Sequence, residues 1–549
     1  MSTVGKLILP LVVLLAAACS RPPEVDLLIR NGTIYDGSGD SGFVGDLAVD
    51  GDRIVDVGEL PGPLRAAVEI DAEGLAVAPG FINMLSWANT TLLVDGRGLS
   101  DVSQGVTLEV FGEGLSMGPL TEEMKVEMVE RQGDLRFNVE WTTLGEYLDY
   151  LVERGVAPNV ASFVGATTVR IHELGHEDRA PMPEELERMK SLVHQAMREG
   201  ALGVGSSLIY APAFFADTEE LVALATVAGE YGGMYISHIR DEGEGLLDAL
   251  EEFLAIVERT GVRGEIYHLK ANREQNWGKL EEAISLIEQA RKRGLAITAD
   301  VYPYAASATG LSARMPPWVR EGGHEAWMKR LQDPATRARV REEMTLIAPE
   351  RVLLVGFRSE ELKPLTGKTL AEVAAMRGTS PEDTVIDLII EDDSRIGTVY
   401  FGMSEENVRK KIALPWVAFG SDAGAPAPEG VFLLSGSHPR AYGTFARILG
   451  KFVREEGVVP LAEALRRMTS LPAGNLGLED RGELAPGYFA DIVVFDPAEI
   501  RDHATYRRPH QLSSGVIHVF VNGVQVLADG AHTGARPGRV VRGPGWTGD

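Results

Sequence analysis

GGMYISHIRDEG (residues 232–243) and RGEIYHLKANREQNWGK (residues 263–279) each carry a short apolar, strand-like run straight into a histidine, His238 and His268. Two further runs of the same kind end in carboxylates: GVTLEVFGEG (105–114) in Glu113 and PWVAFGSDAG (415–424) in Asp422. Metal-ligating residue types at the C-terminal ends of successive strands are the sequence pattern of a catalytic site at the mouth of a (β/α)8 barrel. From Pro79 to about Ser470, apolar runs alternate with helix-patterned segments, as a parallel sheet with crossover helices requires. Strand ends are expected near Asn83, Glu113, Val164, Ser206, His238, His268, Tyr302 and Asp422. PEELERMKSLVHQAMREG (183–200) and KLEEAISLIEQARKRG (279–294) have the i, i+3/i+4 apolar spacing of amphipathic helices.

The interval from Tyr304 to Pro415 exceeds one strand-helix unit and contains RVLLVGF and TVYFGM, so an insertion over about 305–415 is expected before the last barrel strand. Outside the barrel, residues 20–78 read as short strands, with Asn31-Gly32 and Asp50-Gly51 where hairpins need positive φ. Residues 471–549 repeat that style, with Asn522-Gly523 as a turn. The α/β fold expected is therefore a TIM-like barrel over 79–470 with a small β-sandwich assembled from both chain ends.

Residues 1–19, MSTVGKLILPLVVLLAAAC, have one lysine, an apolar stretch too short to span a bilayer, then small residues before the only cysteine, Cys19. No disulfide can form within the chain. The run Leu15-Ala16-Ala17-Ala18-Cys19 resembles a bacterial lipoprotein signal, which implies export and lipid attachment at Cys19; Ser20 after it favours the outer membrane. With 53 Lys and Arg against 80 Asp and Glu, the formal net charge is −27, which disfavours nucleic acid and anionic lipid as partners. Contact with a membrane is expected only through the lipid at Cys19.

The stretches GVTLEVFGEGLSMGPL, SHIRDEG, HLKA followed by NWGK, DVYPY, GSDAG, HPRAYGTFARILG and MTSLPAGNLGLEDRGELAPGYFADIVVFDP, spread between Val25 and Arg542, resemble the metal-dependent amidohydrolases. Within them the resemblance is to the N-acyl-D-amino-acid deacylase (D-aminoacylase) branch. It implies hydrolysis of the amide of N-acyl-D-amino acids to a carboxylate and a free D-amino acid. Hydrolysis of D-amino-acid-containing peptides or another C–N amide, or a non-catalytic envelope lipoprotein of the same fold, are the alternatives. The expected partner is a small N-acyl amino acid or short peptide.

Zinc takes three protein ligands and keeps an open position for water, and Glu113, His238 and His268 suit such a set. By resemblance Asp422 is the general base, and Lys270, Tyr302 and Arg440 hold the substrate α-carboxylate. The branch usually reads PGFID-x-H-x-H on the first barrel strand, whereas this chain reads PGFINMLSW, with Leu85 and Trp87 at the two histidine positions. Neither binds a metal, so one Zn2+ per chain is expected. Trp87 is expected to fill the space vacated by the second metal or to line the acyl pocket, as core rather than facing a ligand; Ala308 stands where the branch has a serine, and Glu109 is a lesser candidate ligand.

Overall fold

The structure, a computed structural model, describes residues 24–60 and 64–548; the leader and Cys19 lie outside them. Eight parallel barrel strands follow in chain order: Phe81–Asn83, Val106–Phe111, Asn159–Ser162 resuming as Val164–Gly165, Gly203–Ser207, Met234–His238, Arg263–Ile266, Ile297–Val301 and Val417–Phe419. Their register sets Phe111 opposite Ser162, Ser207 opposite His238, Ser237 opposite Ile266 and Val301 opposite Phe419. The ring closes where the Met84 amide donates to the Phe419 carbonyl (3.4 Å) and the Asp422 amide to the Leu85 carbonyl (2.8 Å).

These strands are short and buried because both faces are covered: outward positions meet helices and inward ones fill the barrel. Helix Leu246–Thr260 is typical, burying Leu246, Ala249, Leu250, Phe253, Leu254, Ile256 and Val257 on one face and stopping at Gly261, whose φ is 70°. Gly264, on the next strand, leaves room for that helix, since a Cβ there would lie 2.5 Å from Val257.

Between the seventh and eighth barrel strands the chain makes a separate antiparallel sheet, with Gly397–Tyr400 between Ser307–Gly310 and Val352–Gly356. Helices Pro334–Glu343, Leu370–Arg377 and Pro381–Asp392 accompany it, and Leu311, Val319, Trp327, Leu354, Leu370 and Ile386 belong to its own apolar core.

The two chain ends share one nine-stranded sheet, joined where Ala76–Pro79 pairs antiparallel with Ile492–Phe495. Asn522 ties this sheet to the barrel through Nδ2, which donates to Asn159 Oδ1 at 2.8 Å. Asn522 and Gly523, with φ of 49° and 77°, turn the chain between strands Val516–Val521 and Val524–Ala528, and Gly51 (φ 59°) does so between Phe43–Asp50 and Arg53–Gly58. The hairpin expected at Asn31-Gly32 is not there. Asn31 does take positive φ (58°), but as a bulge inside one continuous strand, Glu24–Ile34. Gly32 instead allows a close crossing, a Cβ there falling 2.5 Å from Val77. Beyond the sheet, the tail runs past the N-terminal ends of the third and fourth barrel strands, the Val160 amide donating to Arg539 O and the Gly543 amide to Gly200 O.

Candidate metal centre

Glu113, His238, His268, Lys270, Tyr302 and Asp422 lie at the C-terminal ends of the barrel strands or just beyond, and Arg440 joins them from helix Arg440–Arg447. Glu113 follows the second strand in a Gly112-Glu113-Gly114 turn whose glycines have φ of 107° and 73°. His238 ends the fifth strand, His268 follows the sixth and Asp422 the eighth. His268 and Asp422 both sit at left-handed φ, 36° and 49°, a strain that non-glycine residues hold only where surroundings enforce it. For His268 the enforcing contact is its amide, which donates to Asp300 Oδ1 at 2.9 Å. For Asp422 it is the hydrogen bond that its amide donates to the Leu85 carbonyl.

The three ligand candidates converge on one oxygen. Glu113 Oε1 lies 2.7 Å from His238 Nδ1 and 3.2 Å from His268 Nε2, and all three side chains are buried. One carboxylate oxygen and two imidazole nitrogens grouped within 4.8 Å form an O,N,N donor set that suits zinc. Glu242 backs it, its Oε1 lying 3.2 Å from His268 Nδ1 and 3.4 Å from His238 Nε2, the latter a buried nitrogen with no hydrogen-bond partner. Such a carboxylate directs the other imidazole nitrogen toward a metal.

Electrostatics follow from this crowding. Burial opposes ionisation of Glu113 and of Glu242. The hydrogen bonds from both histidines nonetheless hold Glu113 far below the usual carboxylate range, and the Lys270 ammonium leads in doing the same for Glu242. Burial lowers His238. His268 is likewise opposed by burial and by Lys270, yet its bonds to Glu113 and Glu242 raise it to about 9. Asp422 is raised, chiefly by burial.

Lys270 points its ammonium at Glu242 and lies 2.6 Å from His268 Nδ1. Arg440 stacks over the Tyr302 ring, 4.6 Å from its centroid, and its Nη1 stands 2.8 Å from Asp422 Oδ2, off the line of a hydrogen bond. Its Nε and Nη1 protons are therefore buried without an acceptor, while Nη2 reaches the carbonyl of Ala308 at 3.4 Å. His438 is held neutral by burial, accepts from the Arg440 amide at 3.0 Å and bonds Ala306 O, so it shapes the backbone that presents Arg440.

Two sequence readings need correction. Trp87 is not plain core: its indole N–H donates to Glu113 Oε2 (2.9 Å) and Asp422 Oδ1 (3.2 Å), so it sits among the site groups and joins two of the key carboxylates. Glu109 lies too deep in the barrel to reach the metal group. It accepts from Asn83 Nδ2 at 3.0 Å beside Asp101, and burial raises both carboxyls. Leu85 is buried and apolar as expected.

A family model described as "Amidohydrolase family" matches residues 68–527. The D-aminoacylase of Alcaligenes xylosoxydans xylosoxydans is 36% identical over 524 residues, covering 94% of this chain and 97% of the relative. The N-acyl-D-aspartate deacylase of the same organism is 34% identical, covering 95% of each. Among solved structures, a D-aminoacylase studied for one-metal activation and second-metal attenuation of its binuclear centre superimposes with TM-score 0.80 at 33% identity, over 94% of this chain and all of that one. The N-acyl-D-glutamate deacylase of Bordetella bronchiseptica, complexed with zinc and a phosphonate mimic of the tetrahedral intermediate, does so with TM-score 0.78 at 31% identity, over the same shares.

Proposed function

The chain belongs to the amidohydrolase family, and from that premise we propose that it hydrolyses the amide bond of N-acyl-D-amino acids with one zinc ion. The carrying observation is the convergence of Glu113, His238 and His268 on one point with Asp422 beside it, at the barrel mouth. Those three would hold the ion, which when bound polarises a carbonyl and acidifies water.

The protein's own groups supply the rest. Asp422, buried and raised, is suited to take a proton from the attacking water and return it to the leaving amine nitrogen, so one carboxyl serves both transfers. Arg440, whose Nη1 pairs with Asp422 Oδ2, offers the substrate α-carboxylate its positive charge and a buried Nε–H that has no acceptor. Tyr302 braces that guanidinium, and Lys270 adds positive charge beside it.

A second cationic group favours an acidic side chain on the substrate. Arg314, Arg320 and Arg395 form no ion pair among the described residues, although the chain as a whole is acidic. Arg395 donates to Thr309 Oγ1 (3.0 Å), which bonds the Tyr210 hydroxyl (2.8 Å), and Tyr210 meets the His238 ring edge-on at 5.5 Å. Arg320 is held below the usual arginine value, at about 10, by burial and by the charges of the other two. Arg320, which reaches Ile209 O at 3.5 Å, and Arg395 thus stand against the segment that meets a metal ligand, with Arg314 behind them over the Tyr400 ring, a cationic group that suits an aspartyl or glutamyl carboxylate.

The same proposal takes the segment before Cys19 as an export signal and Cys19 as the lipid-bearing mature N-terminus, in the outer membrane. The test is amino-acid release by zinc-loaded protein from N-acetylated D-Glu, D-Asp, D-Leu and their L forms, with a chelated control. Zinc-dependent release from the D-acidic pair is expected; release from L substrates, or none, overturns it. The same assay on cell fractions should find activity in membranes and, with Cys19→Ser, in the soluble fraction.

A further inference from the structure

We propose that Trp87 takes the place of a second metal ion in this centre, excluding it and positioning Asp422; the inference rests on the metal-dependent reading above. The two oxygens of Glu113 are divided between tasks. Oε1 faces the two histidines, whereas Oε2 accepts the indole N–H, which also reaches Asp422 Oδ1. A donor shared by two buried carboxylates does electrostatically what a bridging cation would do, offsetting their repulsion and fixing the gap between them. It does so with no lone pair to offer a metal, because an indole nitrogen only donates.

The backbone around this substitution is pinned. The Trp87 amide donates to Ala423 O at 2.9 Å, Ser86 bridges to Ala423, and Leu85 both accepts from the Asp422 amide and closes on Gly420, where a Cβ would lie 2.8 Å from its own. The segment that carries Asp422 is thus zipped to the segment that carries Trp87. Of the two side chains pointing in from this segment, Leu85 is apolar and Trp87 is a donor, so neither completes a second ligand set.

Asp422 is held from both sides, Oδ1 by Trp87 and Oδ2 by Arg440. Trp87 is therefore a positioning residue for the base, acting through a fixed neutral donor where an exchangeable ion would otherwise stand. Its consequence is a centre that saturates at one ion and is indifferent to excess metal.

The experiment is equilibrium dialysis of purified apoprotein against zinc, with metal counted by mass spectrometry, alongside kcat and KM at rising zinc. Wild type should bind one equivalent and lose no activity in excess zinc. The double variant L85H/W87H should bind a second equivalent and become inhibited by excess. Trp87→Phe keeps an aromatic ring but loses the pyrrole portion that carries the N–H, and should still bind one equivalent while kcat falls about tenfold, within the range of a misplaced proton-transfer group, and KM changes little. Two equivalents in wild type would overturn the exclusion, and an unchanged kcat in Trp87→Phe would overturn the positioning. If wild type binds one equivalent and the double variant two but no substrate is turned over, the exclusion stands and the deacylase reading falls.

Discussion

Glu242 shows how one residue can govern a centre it does not ligate. It stands behind both histidines and receives the Lys270 ammonium, so its charge aligns two rings and a lysine together. Removing a carboxylate of this kind lowers metal affinity about 10–100-fold. Glu242→Gln keeps the shape and removes the charge, so its zinc Kd, measured against a chromophoric chelator, should rise by that factor. An unchanged Kd would mean that Glu242 serves Lys270 alone. His238, His268, Glu113 and Asp422 are legible in the sequence because each ends a strand-like run. Glu242 lies only four residues past His238, and that spacing is the signal by which it could have been noticed; in SHIRDEG it reads equally well as a turn residue.

At the scale of elements, the ligand turn after the second strand depends on what the next two strands leave open. A Cβ on Gly112 would sit 2.4 Å from the Phe163 carbonyl oxygen, and one on Gly114 2.7 Å from the Ser207 amide nitrogen. Gly114 also holds positive φ, a conformation that strains other residues by about 1–3 kcal/mol. Gly114→Ala should therefore displace Glu113, lowering Tm and removing the rise in Tm expected of wild type on adding zinc. A melting curve matching wild type with and without zinc would show that the turn adapts. The positions of the barrel strands could be read from local apolar runs, including the third, which breaks at Phe163. Asn31-Gly32 was misread because the dipeptide reports positive φ, not chain reversal. Whether the chain turns there depends on Thr33 and Ile34 pairing with Ala76 and Val77, forty-three residues away.

Across the whole molecule, the barrel interior below the site carries carboxyls rather than only apolar layers. Glu265 is the clearest case: burial and the neighbouring Asp300 push it up to about 8. An unfolded glutamate releases its proton near pH ~4.3, so the native state holds more protons between that pH and about 8. Its contribution to stability is complete below the lower value and is lost as pH rises through the window, at up to about 1.4 kcal/mol per pH unit. Glu265→Gln keeps an acceptor for Thr298 and Asn475, which bond Oε2 at 2.6 and 2.8 Å. Urea midpoints should decline less in the variant than in wild type between about pH 5 and 8, and parallel declines would place the effect elsewhere. By itself the sequence determined the barrel, the insertion and the ends of the strands that carry the ligands, since strand and helix periodicity and strand-end residue types are local properties. Only the tertiary structure decided what Trp87 does, which oxygen of Glu113 faces the histidines and which carboxyls lie buried beneath them. Those depend on side-chain directions across contacts such as Trp87 with Asp422, 335 residues apart, which no local pattern encodes.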